Sequence, residues 1–172
     1  MATGGFSANV EMRVKYNKQW EDIGESLQTN NTPGATGDGI VMGEAVGANL
    51  VGMGWIQLMP LNSVSGGGIS GYVNSSLYCN KERFVAEDQR RDVLAAAVLA
   101  QTDKLFYIVC DQKEAELRGM TQETLDYMVQ NGLVYSGETI AELAENMGVP
   151  ADALEKTVNE FNEAVKAGKP DE

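Results

Sequence analysis

The sequence predicts an α+β fold, and three observations carry that prediction. Glycine is unevenly spread: 14 of the 19 glycines lie at or before Gly71. The first part therefore reads as turns and close backbone approaches, and the later part as helices. Short apolar runs, clearest at 105–110, have the length of buried strands. The C-terminal stretch carries helix start and stop signals in order. At 172 residues the chain is about one domain's worth, and its 43% apolar content argues against disorder throughout.

Each element follows from local pattern. Ile40-Val41-Met42, Ala45-Val46 and Leu50-Val51 fit a short helix that enters a strand, and 55–61 is a strand-like run. Residues 77–79 and 83–85 read as two strands joined by the polar turn Asn80-Lys81-Glu82. An Ala/Leu/Val-rich helix is predicted over 89–101, and a buried strand over 105–110. A helix over 121–131 is closed by Gly132. Thr139 and Glu142 form a capping box, in which the hydroxyl accepts an amide proton and the carboxylate reaches back. That helix runs to Met147, where Gly148 supplies a left-handed cap. Pro150 suits the first turn of the last helix. There Leu154, Val158, Phe161 and Val165 recur at helical spacing and predict one buried stripe, ended by Gly168.

Composition excludes whole classes of chemistry. There is no histidine, so neither a Ser-His-Asp triad nor a His-ligated zinc site exists within these residues, and no metal site is expected. The formal net charge of −12 argues against a nucleic-acid partner, which needs a dense Lys/Arg face. The acidic excess lies mostly after residue 80 and reads as solvated helix faces. No run approaches the roughly 18 apolar residues of a membrane span. The N-terminus has no basic and apolar stretches of the signal-peptide kind. Cys79 and Cys110 are 31 positions apart, so they form neither a CxxC pair nor a disulfide framework, and they are read as buried free thiols.

Four motifs are candidates for function. Gly66-Gly-Gly68-Ile-Ser-Gly71 fits G-x-G-x-x-G, but no compact βαβ unit surrounds it and a flexible loop is the better reading. Thr36-Gly37-Asp38-Gly39 reads either as a plain turn or as backbone that approaches a ligand, with a carboxylate ready to accept from hydroxyls. Arg90-Arg91-Asp92 opens an apolar helix; from charge alone it is an exposed start, with Asp92 near the positive end of the helix dipole. Trp55, Met53 and Met59 are expected in the core.

The order of these pieces says more than each alone. Ala2-Thr-Gly-Gly-Phe-Ser-Ala-Asn9, Asn31-Thr-Pro-Gly-Ala-Thr-Gly-Asp-Gly39, Met53-Gly-Trp-Ile-Gln-Leu-Met-Pro60 and Arg83-Phe-Val-Ala-Glu-Asp-Gln-Arg-Arg-Asp92 follow one another. Together with 137–162, they resemble the flavoprotein subunit of the fumarate reductase/succinate dehydrogenase family, above all its soluble fumarate and urocanate reductases. The resemblance implies residues 1–54 as a strip of the FAD-binding domain and 55–172 as the clamp (capping) domain, an α+β lid over the flavin face. It implies that Thr3, Gly4, Gly5 and Asp38 approach FAD. The family's Gly-rich fingerprint and its C-terminal substrate-binding segment are absent, so the chain reads as an internal piece that is inactive alone and binds no FAD tightly.

In that family hydride passes from flavin N5 to an unsaturated acid and a clamp-domain arginine protonates the neighbouring carbon; Arg91 matches that arginine. Two positions depart from the fumarate pattern. Met59 stands where a histidine is usual before the proline, and 68–74 lacks the Glu and Arg of the proton relay, which leaves Tyr72 as the one side chain there able to pass a proton. The resemblance therefore implies a bacterial flavin-dependent reductase of a fumarate- or urocanate-like acid, with Met59 and Tyr72 lining the substrate pocket. Its implied partners are the unsaturated acid, the rest of the FAD domain and a haem, FMN or NADH electron donor. A 3-ketosteroid dehydrogenase or aspartate oxidase type of flavoenzyme, or a non-catalytic clamp-like module, are the alternatives. The compartment stays open.

Overall fold

A computed structural model describes residues 3–21, 23–25, 27, 29, 31–59, 77–117 and 119–168. The chain divides into two compact units, Met1–Gln57 and Leu58–Glu172.

The first unit holds two short helices, α1 (Val10–Tyr16) and α2 (Asp38–Ala45), and no strand among the described residues. Asn9 starts α1 because its side-chain oxygen accepts the Met12 amide proton at 3.0 Å. The amide end of the same side chain donates to the Thr36 carbonyl at 3.0 Å. Backbone bonds Ala8 N–H to Ala35 C=O (2.9 Å) and Gly37 N–H to Gly5 C=O (3.0 Å) complete the tie between 5–9 and 35–37. Gly37 must be glycine. Its φ is +84°, and a Cβ there would sit 2.4 Å from the Met12 sulfur and 2.9 Å from Phe6 Cβ. The buried Arg13 guanidinium donates to the Leu27 carbonyl at 2.9 Å, which pins the following loop to α1.

Here the expectations need correction. The strand predicted after α2 does not form, and 55–59 of the 55–61 run is not a strand. Trp55 is not core: it is 81% exposed. Gly52, at φ +72°, makes a tight turn whose carbonyl accepts the Trp55 N–H, and the ring is left outside. Trp20 carries the internal role instead, its indole N–H donating to the Ile56 carbonyl at 2.6 Å. Met53 and Met59 are only half-buried.

In the second unit β1 (Leu77–Asn80), β2 (Glu82–Arg83) and β3 (Tyr107–Val109) form an antiparallel sheet of order β2-β1-β3. Cys79 pairs with Arg83 and with Tyr107. Lys81, at φ +75°, makes the hairpin turn. The predicted strand at 83–85 thus starts earlier and ends at Arg83, and the predicted strand at 105–110 shrinks to Tyr107–Val109, half-buried rather than buried.

The helices α3 (Arg91–Leu99), α4 (Gln112–Leu117), α5 (Gln122–Gln130), α6 (Ile140–Met147) and α7 (Ala151–Lys166) follow. Thr121 caps α5 and Thr139 caps α6, each side chain accepting an amide proton three residues on. Glu142 does reach back, but to the Glu138 N–H at 2.9 Å, one residue before the cap. Gly148 closes α6 at φ +71°, and Pro150 is the N-cap of α7, one position earlier than the first turn. The core is Leu77, Cys79, Ala144, Met147 and Leu154, with Val158 and Phe161 packed against it. Val165, the last member of the predicted stripe, is 44% exposed. Cys79 is fully buried, and burial, with the Glu87 carboxylate adding to it, pushes its thiol up to about 12. Cys110 is half-buried, not buried.

Candidate functional site

Two groups of residues carry chemistry, one in each unit. In the first, the tie between 5–9 and 35–37 presents Thr3, Gly4, Gly5 and Asp38 on the surface, all four exposed. Gly4 adopts φ +85°, with open space where a side chain would stand, so the backbone here is bare to a ligand. Asp38 is not in an open turn. It is the first residue of α2, after the left-handed N-cap Gly37. Its carboxylate accepts the Thr36 hydroxyl proton at 2.7 Å. An anchored carboxylate of this kind accepts from hydroxyl groups and repels phosphate. Asn9, which holds the two segments together, had been given no role from the sequence, though Asn just before a helix is a capping signal.

In the second unit the Arg90-Arg91-Asp92 element opens α3. Arg90 is the N-cap and makes no side-chain capping bond. Its guanidinium instead pairs side-on with Asp92, Nε to Oδ1 at 3.0 Å and Nη2 to Oδ2 at 2.5 Å. That bond raises the Arg90 pKa and holds the Asp92 carboxyl below the usual carboxylate range. The pair is open to water, so its stabilising effect is screened. Arg91 occupies the first position of α3 and is exposed; its Nη1 lies 3.8 Å from the Met59 sulfur. Two sequence-predicted site residues 32 positions apart are thus neighbours in space. Tyr72 and the glycines at 66–71 lie outside the described residues.

Just before α3 in the chain stands Glu87, to which the sequence pattern gives no role. Glu87 is only 4% exposed, and its carboxylate takes the Tyr78 N–H and a two-point contact from the Arg83 guanidinium. No local signal marks it, because residues 83–87 are not helical and their four-residue spacing implies no contact. No group of three or more metal-ligating side chains occurs among the described residues.

The FAD binding domain family matches residues 1–172, the whole chain. The chain belongs to that family. It is 38% identical to an NADH:acrylate oxidoreductase of Vibrio harveyi, over 98% of this chain and 17% of that protein. It is also 38% identical to a urocanate reductase of Eggerthella lenta, over 98% of this chain and 29% of that protein. Among solved structures, the open conformation of a flavocytochrome c3 fumarate reductase superposes with a TM-score of 0.67 at 30% identity, covering 98% of this chain and 29% of that one. The chain thus spans less than a third of each of these relatives, all of them oxidoreductases by name. The cofactor of the family is FAD, and the first unit can be tested against it. Bare backbone at Gly4 and Gly5 and the anchored Asp38 carboxylate fit the hydroxyl-bearing part of such a cofactor. The same carboxylate at the α2 N-terminus does not fit its pyrophosphate. No helix of the described residues is long and apolar enough to cross a membrane.

Proposed function

We propose that this chain is part of an FAD-dependent reductase that saturates the C=C bond of an unsaturated carboxylic acid. The first unit contributes a strip of the FAD-binding domain, and the second is the clamp domain. FAD, when bound, supplies the hydride for the reduction. Thr3, Gly4 and Gly5 approach it through bare backbone, and Asp38 accepts from its hydroxyls.

Arg91 is the group that completes the reaction. Its standing positive charge attracts the substrate carboxylate and the negative charge that develops on the carbon beside it. It then gives that carbon a proton. A guanidinium is a weak acid, so it releases a proton only to a strongly basic carbon held within hydrogen-bond reach, and it must be reprotonated afterwards. Tyr72 is the residue assigned to that relay. The observation that carries this reading is the position of Arg91 at the first turn of α3, beside Met59 and next to an Arg90 already engaged by Asp92. Arg90, by contrast, is held by the Asp92 carboxylate within its own turn, 2.5 Å away.

Met59 narrows the substrate. A thioether is polarizable and apolar and donates no hydrogen bond, so it offers nothing to a second carboxylate. This supports a monocarboxylic enoate over fumarate, in keeping with relatives named for acrylate and urocanate. Electrons reach the flavin from a haem, FMN or NADH donor outside these residues.

The test is Arg91→Lys in the full-length flavoprotein. Reduction of acrylate, urocanate and cinnamate is expected to disappear while flavin absorbance is retained. Near-normal turnover would remove Arg91 from the role, and activity confined to a 3-ketosteroid in the same substrate panel would replace the enoate reading.

A further inference from the structure

We propose that Glu87 is the positioning residue that sets where Arg91 stands; this rests on the reading of Arg91 given above. The segment from the end of β2 to the start of α3 covers residues 84–90 and has no ladder of its own. It is fixed near its middle by one buried carboxylate. Glu87 Oε1 accepts from the Tyr78 N–H at 2.9 Å and from Arg83 Nε at 3.1 Å, and Oε2 accepts from Arg83 Nη2 at 2.6 Å. These are charge-assisted bonds in a two-point geometry, the kind that fixes orientation as well as distance. Both partners are themselves immobilised. Tyr78 is 1% exposed on the central strand, and the Arg83 guanidinium lies 5.1 Å over the Phe161 ring of α7.

From Glu87 the chain needs four residue steps to reach Arg91, at most about 14 Å of backbone. The helix it enters is held further along by buried Leu94, Ala95 and Val98, but its N-cap residue, Arg90, makes no side-chain capping bond. An uncapped first turn frays unless the incoming chain holds it. Glu87 is that hold. Stability alone gives little reason to bury this pair, because a buried ion pair roughly breaks even against apolar replacements.

The test uses the full-length flavoprotein with Glu87→Gln, and with Arg83→Met combined with Glu87→Gln. Glutamine keeps an acceptor for the Tyr78 N–H, and the double variant leaves no buried charge unpaired. In each, kcat for the enoate is expected to fall about tenfold or more, the scale of an ångström-level misplacement. KM and flavin absorbance stay near wild type, and the solvent deuterium isotope effect on kcat rises because proton delivery becomes slower. A purely structural role would lower the amount of folded, flavin-loaded protein and leave the isotope effect alone. The proposal is overturned by kcat within about twofold of wild type, by losses that track flavin content with an unchanged isotope effect, or by failure of both variants to fold. Arg91→Lys run alongside separates the two ideas. If that variant still turns over, the assignment of Arg91 fails; if it is dead while the Glu87 variants run at the normal rate, only the positioning role fails.

Discussion

The two units are held together by different forces. In Met1–Gln57 hydrogen bonds tie the segments, Asn9 to Thr36, Gly37 to Gly5, Arg13 to Leu27 and Trp20 to Ile56, beside an edge-on Phe6–Tyr16 ring pair. Among its described residues the buried apolar ones are Met12 and Ile23. In Leu58–Glu172 an apolar cluster around Leu77, Cys79, Met147 and Leu154 joins sheet to helices, and α7 covers it with one face. The second unit therefore carries its own core, whereas the first leaves Val46, Val51 and Trp55 more than 80% exposed. Under the proposed function the first unit is a binding strip, which needs exact backbone placement more than hydrophobic bulk, and the second is a lid, which needs a core of its own to keep its shape.

Substitutions can break this comparison, and the largest effect belongs to the second unit. Leu154 is completely buried in its core. Leu154→Ala should cost about 2–5 kcal/mol, the transfer and cavity terms together. Hydrogen exchange should then show 77–166 losing protection while the first unit keeps its own. Equal loss in both units would mean that one core serves the whole chain.

Next is Gly37→Ala. The left-handed backbone costs about 1 kcal/mol for a residue with a Cβ, and the overlap with Met12 and Phe6 adds about 1–3 kcal/mol if they yield. Its consequence is local: weaker FAD binding by the full-length protein, read by flavin titration, with protection in α6 and α7 intact. Unchanged flavin affinity would detach this strip from the cofactor.

The smallest effect concerns Cys79 and Cys110. At pH 8 an alkylating reagent followed by mass spectrometry should label Cys110 well before Cys79, whose buried thiol stays protonated to about 12. The sign of the pH dependence follows. Between the ordinary value of 9.0 and about 12 the unfolded chain has lost this proton and the folded chain keeps it. Stability therefore falls as pH rises through that window, and is unaffected by this group below it. Cys79→Ala should flatten that alkaline decline.

Much of this was legible along the chain because the signals are local. A capping hydroxyl acts on an amide three residues away, so Thr121 and Thr139 were readable, as were Gly148 and the helices they bound. The order of short motifs was enough to indicate the family. The failures have a common cause. Trp55 is apolar and was placed inside, but burial depends on what the rest of the fold brings to that spot, and the Gly52 turn sends the ring outward. The strand expected after the short helix at 40–51, and the described part (55–59) of the run expected at 55–61, have the right residues and no partner strand among the described residues to pair with; a strand without a ladder is not a strand.

Sequence by itself determined the caps at Thr121, Thr139 and Gly148, the helices α3, α5, α6 and α7, though not α4, and the candidacy of Arg91, because each depends on residues within one turn of one another or on a family pattern. Only the tertiary structure decided that Met59 stands beside Arg91, that Asn9 laces two loops 27 residues apart, and that Glu87 is buried under Arg83 and Tyr78. Those contacts form where packing brings distant segments together and withdraws water from them, and no local pattern encodes that meeting.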